Sequence, residues 1–166
     1  MAQNDDADHM LILLVEDRDD DVVLFRRAFA EAGISNPTFV VRNGHEAACY
    51  LAGTGRYRQQ HEFPLPGLVL LDLKMPLMDG FELLAWIREH PTLSTLRVVV
   101  LTSSEDCSDI NRAAHTGANS FLVKPFEFQD YVRLARIVRS HWIVHSIAPE
   151  LRRFPHDVPP PASESV

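Results

Sequence analysis

Leu68-Val69-Leu70-Leu71-Asp72 is an apolar run that ends in a carboxylate, and the turn-forming pairs Met75-Pro76 and Asp79-Gly80 follow it. Short, unbroken apolar runs are typical of strands that are buried on both faces of a parallel sheet. Proline and glycine beyond the run indicate that the strand stops there. The sequence therefore predicts a buried strand with the Asp72 carboxylate at its C-terminal end.

Three other apolar runs also end in polar side chains. Glu16-Asp17 follow the run at 11–15, Thr102-Ser103 follow the run at 98–101, and Lys124-Pro125 follow the run at 121–123. In a parallel sheet the carboxyl ends of the strands lie at one edge, where open α/β folds bind their ligands. The sequence therefore predicts that acids, a hydroxyl and a lysine collect at that edge.

Helical patterns alternate with these strands and with a further short strand at 38–41. They cover residues 20–32, 43–51, 81–89, 105–115 and 127–144. The expected N-caps include an aspartate of the 19–21 run, Asn43 and Ser104. A strand–helix unit repeated five times predicts an α/β fold, a doubly wound five-stranded parallel sheet with helices on both faces.

The 166-residue chain suits one domain with a substantial core. Residues 1–9 are polar and acidic and are interpreted as a flexible arm, and residues 10–145 hold the whole alternating pattern. Residues 146–166 contain five of the eleven prolines and are interpreted as a tail. The connection at 54–66 is long, which favours a functional loop and a plain surface insertion about equally.

Charge and hydropathy exclude two classes of partner. The net charge of −7 argues against direct DNA binding, which needs a basic surface. The chain shows neither a secretory signal pattern nor an apolar run of about 18 residues, so we expect no membrane span. The sequence indicates a cytoplasmic protein.

The strand-end acids predict a metal site. If the strands that precede Glu16-Asp17 and Asp72 are neighbours, the carboxylates converge, and each pair about 5 Å apart repels by roughly 3 kcal/mol at an effective dielectric of about 20. Such a cluster needs protons or a cation to offset the repulsion. Hard oxygen ligands without histidine or thiolate favour Mg2+, and the main-chain carbonyl of Lys74 could complete its shell.

Lys124 and Thr102 are not explained by a metal alone. An ammonium and a hydroxyl that face a metal-bound carboxylate suit a phosphoryl group carried on that carboxylate. In this interpretation Asp72 attacks phosphorus, Lys124 pairs with a phosphoryl oxygen, and the Thr102 hydroxyl binds the group. Each residue alone has a plainer explanation, such as a helix N-cap for Glu16. Asp19-Asp20-Asp21 are interpreted as capping and solvated residues.

Taken together, these motifs resemble the receiver domain of bacterial two-component response regulators over roughly residues 10–144. The matching segments are Ile12-Leu13-Leu14-Val15-Glu16-Asp17, Leu70-Leu71-Asp72-Leu73-Lys74-Met75-Pro76, Asp79-Gly80, Val100-Leu101-Thr102-Ser103, Gly117-Ala118 and Lys124-Pro125-Phe126. The resemblance implies a flavodoxin-like strand order 2-1-3-4-5. It also implies a cis peptide bond between Lys124 and Pro125.

The resemblance further implies a role for each site residue. Asp72 is the expected phosphoacceptor; Asp17 a direct Mg2+ ligand; Glu16 a ligand through metal-bound water; Lys74 a ligand through its carbonyl; Thr102 and Lys124 the phosphoryl-binding residues; and Phe121 an aromatic switch that turns inward when Thr102 moves. Glu16 replaces the usual aspartate, and Phe121 lacks the hydroxyl of the commoner tyrosine. Lys74 and Ser104 occupy positions that tune hydrolysis in this family.

The resemblance implies a stand-alone response regulator that receives its phosphoryl group from a sensor histidine kinase. It is a phosphoacceptor that catalyses its own phosphorylation and dephosphorylation, not an enzyme with a separate substrate. The loop at 54–66 and the arm after Trp142 resemble regulators paired with phytochrome-type kinases. The broad apolar arc of the last helix leaves two interpretations open, a helix buried on two sides or a homodimer surface shared with the C-terminal arm.

Three alternatives remain at this stage. A phosphorelay intermediate would pass the phosphoryl group to a histidine phosphotransfer protein, and the sequence does not exclude it. A haloacid-dehalogenase-like phosphatase also uses a strand-end aspartate and Mg2+, but it needs a second acid where Lys74 stands. A pseudo-receiver without phosphorylation is disfavoured because every chemical group is present.

Overall fold

The computed structural model describes residues 9–103 and 107–143. Five parallel strands form one sheet, and in chain order they are β1 (Ile12–Val15), β2 (Thr38–Val41), β3 (Leu68–Asp72), β4 (Val98–Thr102) and β5 (Ser120–Val123). Their order across the sheet is β2-β1-β3-β4-β5, which confirms the expected topology. The predicted tail at 146–166, most of the predicted arm at 1–9 and the predicted N-cap Ser104 lie outside the described residues.

Helices cover both faces of the sheet. They are α1 (Asp19–Glu31), α2 (Gly44–Ala52), α3 (Gly80–Glu89), α4 (Cys107–Thr116) and α5 (Phe128–Val138). One buried cluster packs α1 and α5 against strand residues such as Leu14 and Leu70, and a second packs α2 and α3 against Leu13 and Leu71. This two-sided burial confirms the doubly wound α/β fold and explains why the strands lack polar alternation. In the described part of the chain, no helix has the length and apolar character to cross a membrane.

The observed N-caps of the helices agree only in part with those predicted from the sequence. The Asn43 side chain accepts a hydrogen bond from the N–H three residues on and caps α2, as predicted. The expected aspartate cap of α1 is wrong, because Arg18 occupies the N-cap position and its side chain makes no capping bond within the described residues. Residues 19–21 fall in the first turn instead, where carboxylates interact favourably with the helix dipole. Asp79 and Glu82 form a reciprocal capping box that starts α3.

The last helix departs from the predicted continuous helix at 127–144. α5 ends at Val138, and Arg139–Ile143 form a π-helical turn. The wider turn changes the side-chain register, and Ile143 is buried in the same cluster as α1 and α5. Among the apolar residues of the broad arc, Ile137 is exposed, at 44%, while Tyr131 and most of the others are buried. Core packing therefore accounts for most of the arc.

The long connection at 54–66 packs over the β2 edge of the sheet. Its residues Tyr57 and Phe63 join Phe39 of β2 and Tyr50 of α2 in a cluster whose ring centroids lie 5.0–6.1 Å apart. The Tyr50 hydroxyl also donates a hydrogen bond to the loop backbone at 2.8 Å. Edge-to-face and tilted ring pairs of this kind add stability beyond simple burial. The loop thus has a packing role.

Gly80 brings the start of α3 against the end of β3. Its N–H donates a hydrogen bond to the Leu73 carbonyl at 3.0 Å. A Cβ at this position would lie 2.4 Å from the Asp72 carbonyl oxygen and 2.7 Å from the Leu73 Cα. Both are backbone atoms that cannot rotate away. The absence of a side chain at Gly80 therefore permits the tight turn that follows Asp72.

We expect Gly80→Ala to lower the free energy of unfolding by about 3 kcal/mol, because the added methyl group overpacks the backbone beneath it. Urea denaturation would measure the loss. Gly33→Ala is the control: Gly33 has a φ of +74° but open space around it, so its loss should be about 1 kcal/mol. Equal losses in both variants would contradict the close approach at Gly80.

Candidate functional site

The parallel register brings four strand ends to one edge of the sheet. The aligned pairs are Val15 with Leu71, Asp72 with Leu101, and Thr102 with Val123. Glu16, Asp72, Thr102 and Lys124 therefore stand at the ends of β1, β3, β4 and β5, and all four are buried. The structure brings together the strand-end residues that the sequence singled out.

Glu16, Asp17 and Asp72 form a cluster of carboxylates. One oxygen from each lies within 4.8 Å of the others. Oδ1 of Asp17 is buried, and no group in residues 9–103 or 107–143 donates a hydrogen bond to it. Buried polar atoms ordinarily have a partner, and oxygen clusters of this charge are the ligands that hard divalent cations prefer. The residues present therefore fit a divalent metal ion.

The Lys124 ammonium faces these carboxylates. Its Nζ lies 2.5 Å from a Glu16 oxygen, 3.0 Å from an Asp21 oxygen and 3.5 Å from an Asp72 oxygen. Only 7% of the Lys124 side chain is exposed. A buried charge is costly unless it is paired and hydrogen-bonded. The surrounding carboxylates supply that pairing and hold the ammonium beside Asp72.

Burial and the Lys124 charge act in opposite directions on the acids. Burial raises the pKa of Glu16 to about 7, although the hydrogen bond and charge of Lys124 lower it. Burial also raises the pKa of Asp72, with Lys124 again opposing. Burial alone would lower the pKa of Lys124, but the hydrogen bond to Glu16 and the charges of Asp72 and Glu16 raise it. The acids thus retain an unfavourable negative charge that a bound cation would offset.

Asp21 belongs to this site, and its interpretation as a capping or solvated residue is wrong. Its side chain is 14% exposed and accepts a hydrogen bond from Lys124. Burial raises the pKa of Tyr131 in α5, and the charge of Asp21 and a hydrogen bond between the two side chains add to this rise. The sequence places Asp21 in the first turn of α1, at the same sheet edge, but it places Asp19 and Asp20 there as well and so does not single out Asp21.

The other expected residues occupy different environments. Thr102 is buried at the end of β4. The Lys74 N–H donates a hydrogen bond to the Asp72 carboxylate, and the Lys74 ammonium pairs with Asp109 of α4 at 3.8 Å. Phe121, on the edge strand β5, is 41% exposed. Its ring is therefore directed at least partly to solvent in this structure.

The Lys124–Pro125 peptide bond does not have the expected cis form, because the described residues contain no cis peptide bond. The trans form is intrinsically favoured for an X–Pro bond by about 0.5–1 kcal/mol. In this form the Lys124 ammonium already reaches Glu16 and Asp21. The expectation of a cis bond is wrong.

Comparison with known proteins identifies the family to which this fold and site belong. The response regulator receiver domain matches residues 12–136, and the chain belongs to that family. It is 37% identical over 139 residues to the probable methanogenesis regulatory protein FilR2 of Methanothrix harundinacea, with 82% of this chain and 85% of FilR2 covered. It is 33% identical over 133 residues to response regulator Rcp1 of Synechocystis, with 80% and 88% covered.

Solved structures give the same result. The phosphorylated cyanobacterial phytochrome response regulator RcpA superposes with a TM-score of 0.78 at 32% identity, covering 86% of this chain and 99% of RcpA. RPA3017, a response regulator in red light signaling of R. palustris, superposes with a TM-score of 0.80 at 34% identity. The match covers 84% of this chain and 98% of RPA3017. The Mn(2+)-bound form of Rcp1 superposes with a TM-score of 0.75 at 32% identity, covering 84% of this chain and 99% of Rcp1.

The family membership bears on the alternatives that the sequence left open. Receiver domains accept phosphoryl groups from sensor histidine kinases, bind a divalent metal and are not enzymes in the ordinary sense. The relatives of this chain include response regulators of phytochromes. These findings do not favour the phosphatase or the phosphorelay intermediate.

Divalent cations should stabilise the protein, and acidification should weaken the effect. A ligand at 100 times its Kd adds about 2.7 kcal/mol to the free energy of unfolding. Burial raises the pKa of Glu16 to about 7 and also raises the pKa of Asp72, so protons compete more strongly with the cation as the pH falls. We expect the Mg2+-induced rise in Tm to be larger at about pH 8 than at about pH 5.5 by calorimetry. If Mg2+ raised the Tm of Asp17→Asn as much as that of the wild type, the metal site would be contradicted.

Without metal, the pH dependence has a defined sign. The folded protein raises the pKa of Glu16 from 4.5 to about 7, so its contribution to stability is fully present below about pH 4.5 and is lost as the pH rises through about 7. Glu16→Gln removes this ionisation. The metal-free variant should therefore lose less stability than the wild type between these pH values, as measured by urea denaturation.

Proposed function

We propose that this protein is a response regulator that accepts a phosphoryl group on Asp72 from a sensor histidine kinase and thereby switches an interaction surface. The observation that carries this proposal is the position of Asp72. Its buried carboxylate belongs to the cluster of acids that fits a divalent cation, and the Lys124 ammonium lies 3.5 Å from it. Positive charge beside a carboxylate suits its attack on phosphorus, because it stabilises the charge on the transferring group.

Each residue then has one task in the transfer. An Asp72 oxygen forms a bond to phosphorus as the bond from phosphorus to the kinase histidine breaks. Lys124 donates a hydrogen bond to a phosphoryl oxygen, and the Thr102 hydroxyl binds a second one. Asp17, Asp72 and the Lys74 carbonyl, with Glu16 acting through water, would hold Mg2+, which would supply further positive charge. The protein in this way catalyses its own phosphorylation, and hydrolysis at the same site ends the signal.

The change is transmitted through Thr102 and Phe121 on adjacent strands. β4 and β5 pair in register, with Thr102 opposite Val123 and Val100 opposite Phe121. Movement of Thr102 toward the phosphoryl group leaves room for the Phe121 ring to turn inward. The ring is 41% exposed, so it has apolar surface to bury in that turn. Because Phe121 has no hydroxyl, the switch works by packing alone.

The partners follow from the relatives and the charge. The similarity to RcpA and to RPA3017 supports a phytochrome-type histidine kinase as the donor. The exposed Ile137 on α5 supports a homodimer through the last helix and the C-terminal arm. The net charge of −7 supports signalling through proteins and not through DNA. The proposed location of this switch is the cytoplasm.

Acetyl phosphate with Mg2+ should add one phosphoryl group to the purified protein, and intact-mass measurement would detect it. Asp72→Asn should remain unmodified, because an amide cannot form the acyl phosphate. Asp20→Asn is the matched control, since Asp20 lies exposed on α1 and its loss removes the same charge. Phosphorylation of Asp72→Asn at the wild-type level would reject Asp72 as the phosphoacceptor. The same variants, tested with candidate kinases, would identify the donor.

Lys74 should slow the hydrolysis of the acyl phosphate. Lys74 stands two residues after Asp72, and its exposed ammonium pairs with Asp109 of α4. From this position the side chain would crowd the attacking water. We expect Lys74→Asn to shorten the acyl-phosphate lifetime severalfold, and Lys74→Arg, which keeps the length and charge, to preserve it. The lifetime is measured by the loss of the phosphorylated mass after removal of the donor. A longer lifetime in Lys74→Asn than in the wild type would contradict the crowding effect.

A further inference from the structure

The hydrogen bonds of the Lys124 ammonium are divided unequally among its partners. An ammonium has three N–H donors and no acceptor. Lys124 donates to Glu16 at 2.5 Å and to Asp21 at 3.0 Å, whereas Asp72 lies farther away, at 3.5 Å. The two short bonds fix the direction of the third donor. The third N–H is therefore available on the side of the site that carries Asp72.

Asp21 differs from the other carboxylates around Lys124. The cluster that fits a metal consists of Glu16, Asp17 and Asp72, and Asp21 is outside it. Its carboxylate is 14% exposed. Burial raises the pKa of the nearby Tyr131 in α5, and the charge of Asp21 adds to this rise. Asp21 therefore anchors Lys124 from α1 without belonging to the cluster that fits a cation.

We propose that Asp21 is a positioning residue for phosphoryl transfer, which holds the Lys124 ammonium together with Glu16 so that its remaining N–H meets the phosphoryl group on Asp72. The inference rests on the proposed function and adds a residue to it. Glu16 alone leaves the ammonium free to rotate about one hydrogen bond. The second anchor removes this freedom before the donor arrives, which is how preorganised donors contribute to catalysis.

If Asp21 acted only through its charge, its removal would speed phosphorylation instead of slowing it. Asp21 adds a negative charge near a site that must receive an anionic phosphodonor, so its removal would favour the donor's approach. Two variants separate the effects. Asp21→Asn removes the charge but keeps an oxygen that accepts from Lys124, whereas Asp21→Ala removes both the charge and the acceptor.

The experiment measures the rate of phosphorylation by acetyl phosphate with Mg2+, using the full chain. We expect Asp21→Ala to react roughly tenfold more slowly than the wild type, as loss of one hydrogen bond to a charged group implies. Asp21→Asn should retain most of the rate. Asp20→Ala, an exposed neighbour on the same helix, is the control and should react as the wild type does. Urea midpoints confirm that each variant is folded.

The double variant Asp21→Ala/Lys124→Gln tests whether Asp21 acts through Lys124. Lys124→Gln alone should be slow, and the added Asp21→Ala should slow it no further, because no ammonium remains to be positioned. Further slowing in the double variant would overturn the proposal. So would equal slowing in Asp21→Asn and Asp21→Ala, or faster reaction in both.

The outcomes also distinguish this inference from the proposed function. If the wild type takes up no phosphoryl group at Asp72, the proposed function fails. If the wild type reacts at Asp72 and Asp21→Ala reacts equally fast, only the positioning role of Asp21 is rejected.

Discussion

The buried ion pairs of Lys124 are the interaction on which the arrangement of the site depends. The apolar strands force a register that places Glu16, Asp17 and Asp72 within 4.8 Å of one another. At this separation and an effective dielectric of about 20, each pair of charged carboxylates repels by roughly 3 kcal/mol. Lys124 offsets part of this repulsion from the end of β5, and its contacts to Glu16 and Asp21 join the ends of β1 and β5 to the start of α1. The sheet topology thus brings the acids together, and the ion pairs of Lys124 make that arrangement tolerable.

The compensation by Lys124 is incomplete, so the acids at this edge still carry an unfavourable charge. Burial still raises the pKa of Glu16 to about 7 and raises the pKa of Asp72 despite the ammonium beside them. A fully compensated cluster would gain little from a cation. A divalent ion would offset a charge that the fold has already enclosed, so metal binding and the stability of the folded state would be linked. Sites that bind or react commonly carry such a local cost to stability.

The sequence predicts the fold and the strand-end part of the site because both depend on a local pattern, an apolar run followed by a polar residue. Glu16, Asp72, Thr102 and Lys124 could be found in this way once the strands were taken as parallel. Asp21 could not be found in this way, because three consecutive aspartates lie at 19–21 after β1. Only the rotation of helix α1 about its axis decides which of them faces Lys124. The π-helical turn at Arg139–Ile143 was missed for a similar reason: its register is set by packing against α1, whereas the sequence pattern there fits an ordinary α-helix.

The position of β5 explains how a charge change at Asp72 could reach the surface. β5 is an edge strand that pairs only with β4 among the described strands, so its movement breaks few hydrogen bonds. Lys124 directly follows β5, and its N–H donates to the Thr102 carbonyl at 2.7 Å. The two residues proposed to bind the phosphoryl group are therefore connected to each other and to the same edge strand. Any rearrangement that they make around a phosphoryl group acts on the strand that carries Phe121. Burial raises the pKa of Tyr131, and Asp21, which accepts a hydrogen bond from the same lysine, adds to this rise through its charge, so α5 lies within reach of the same charged cluster.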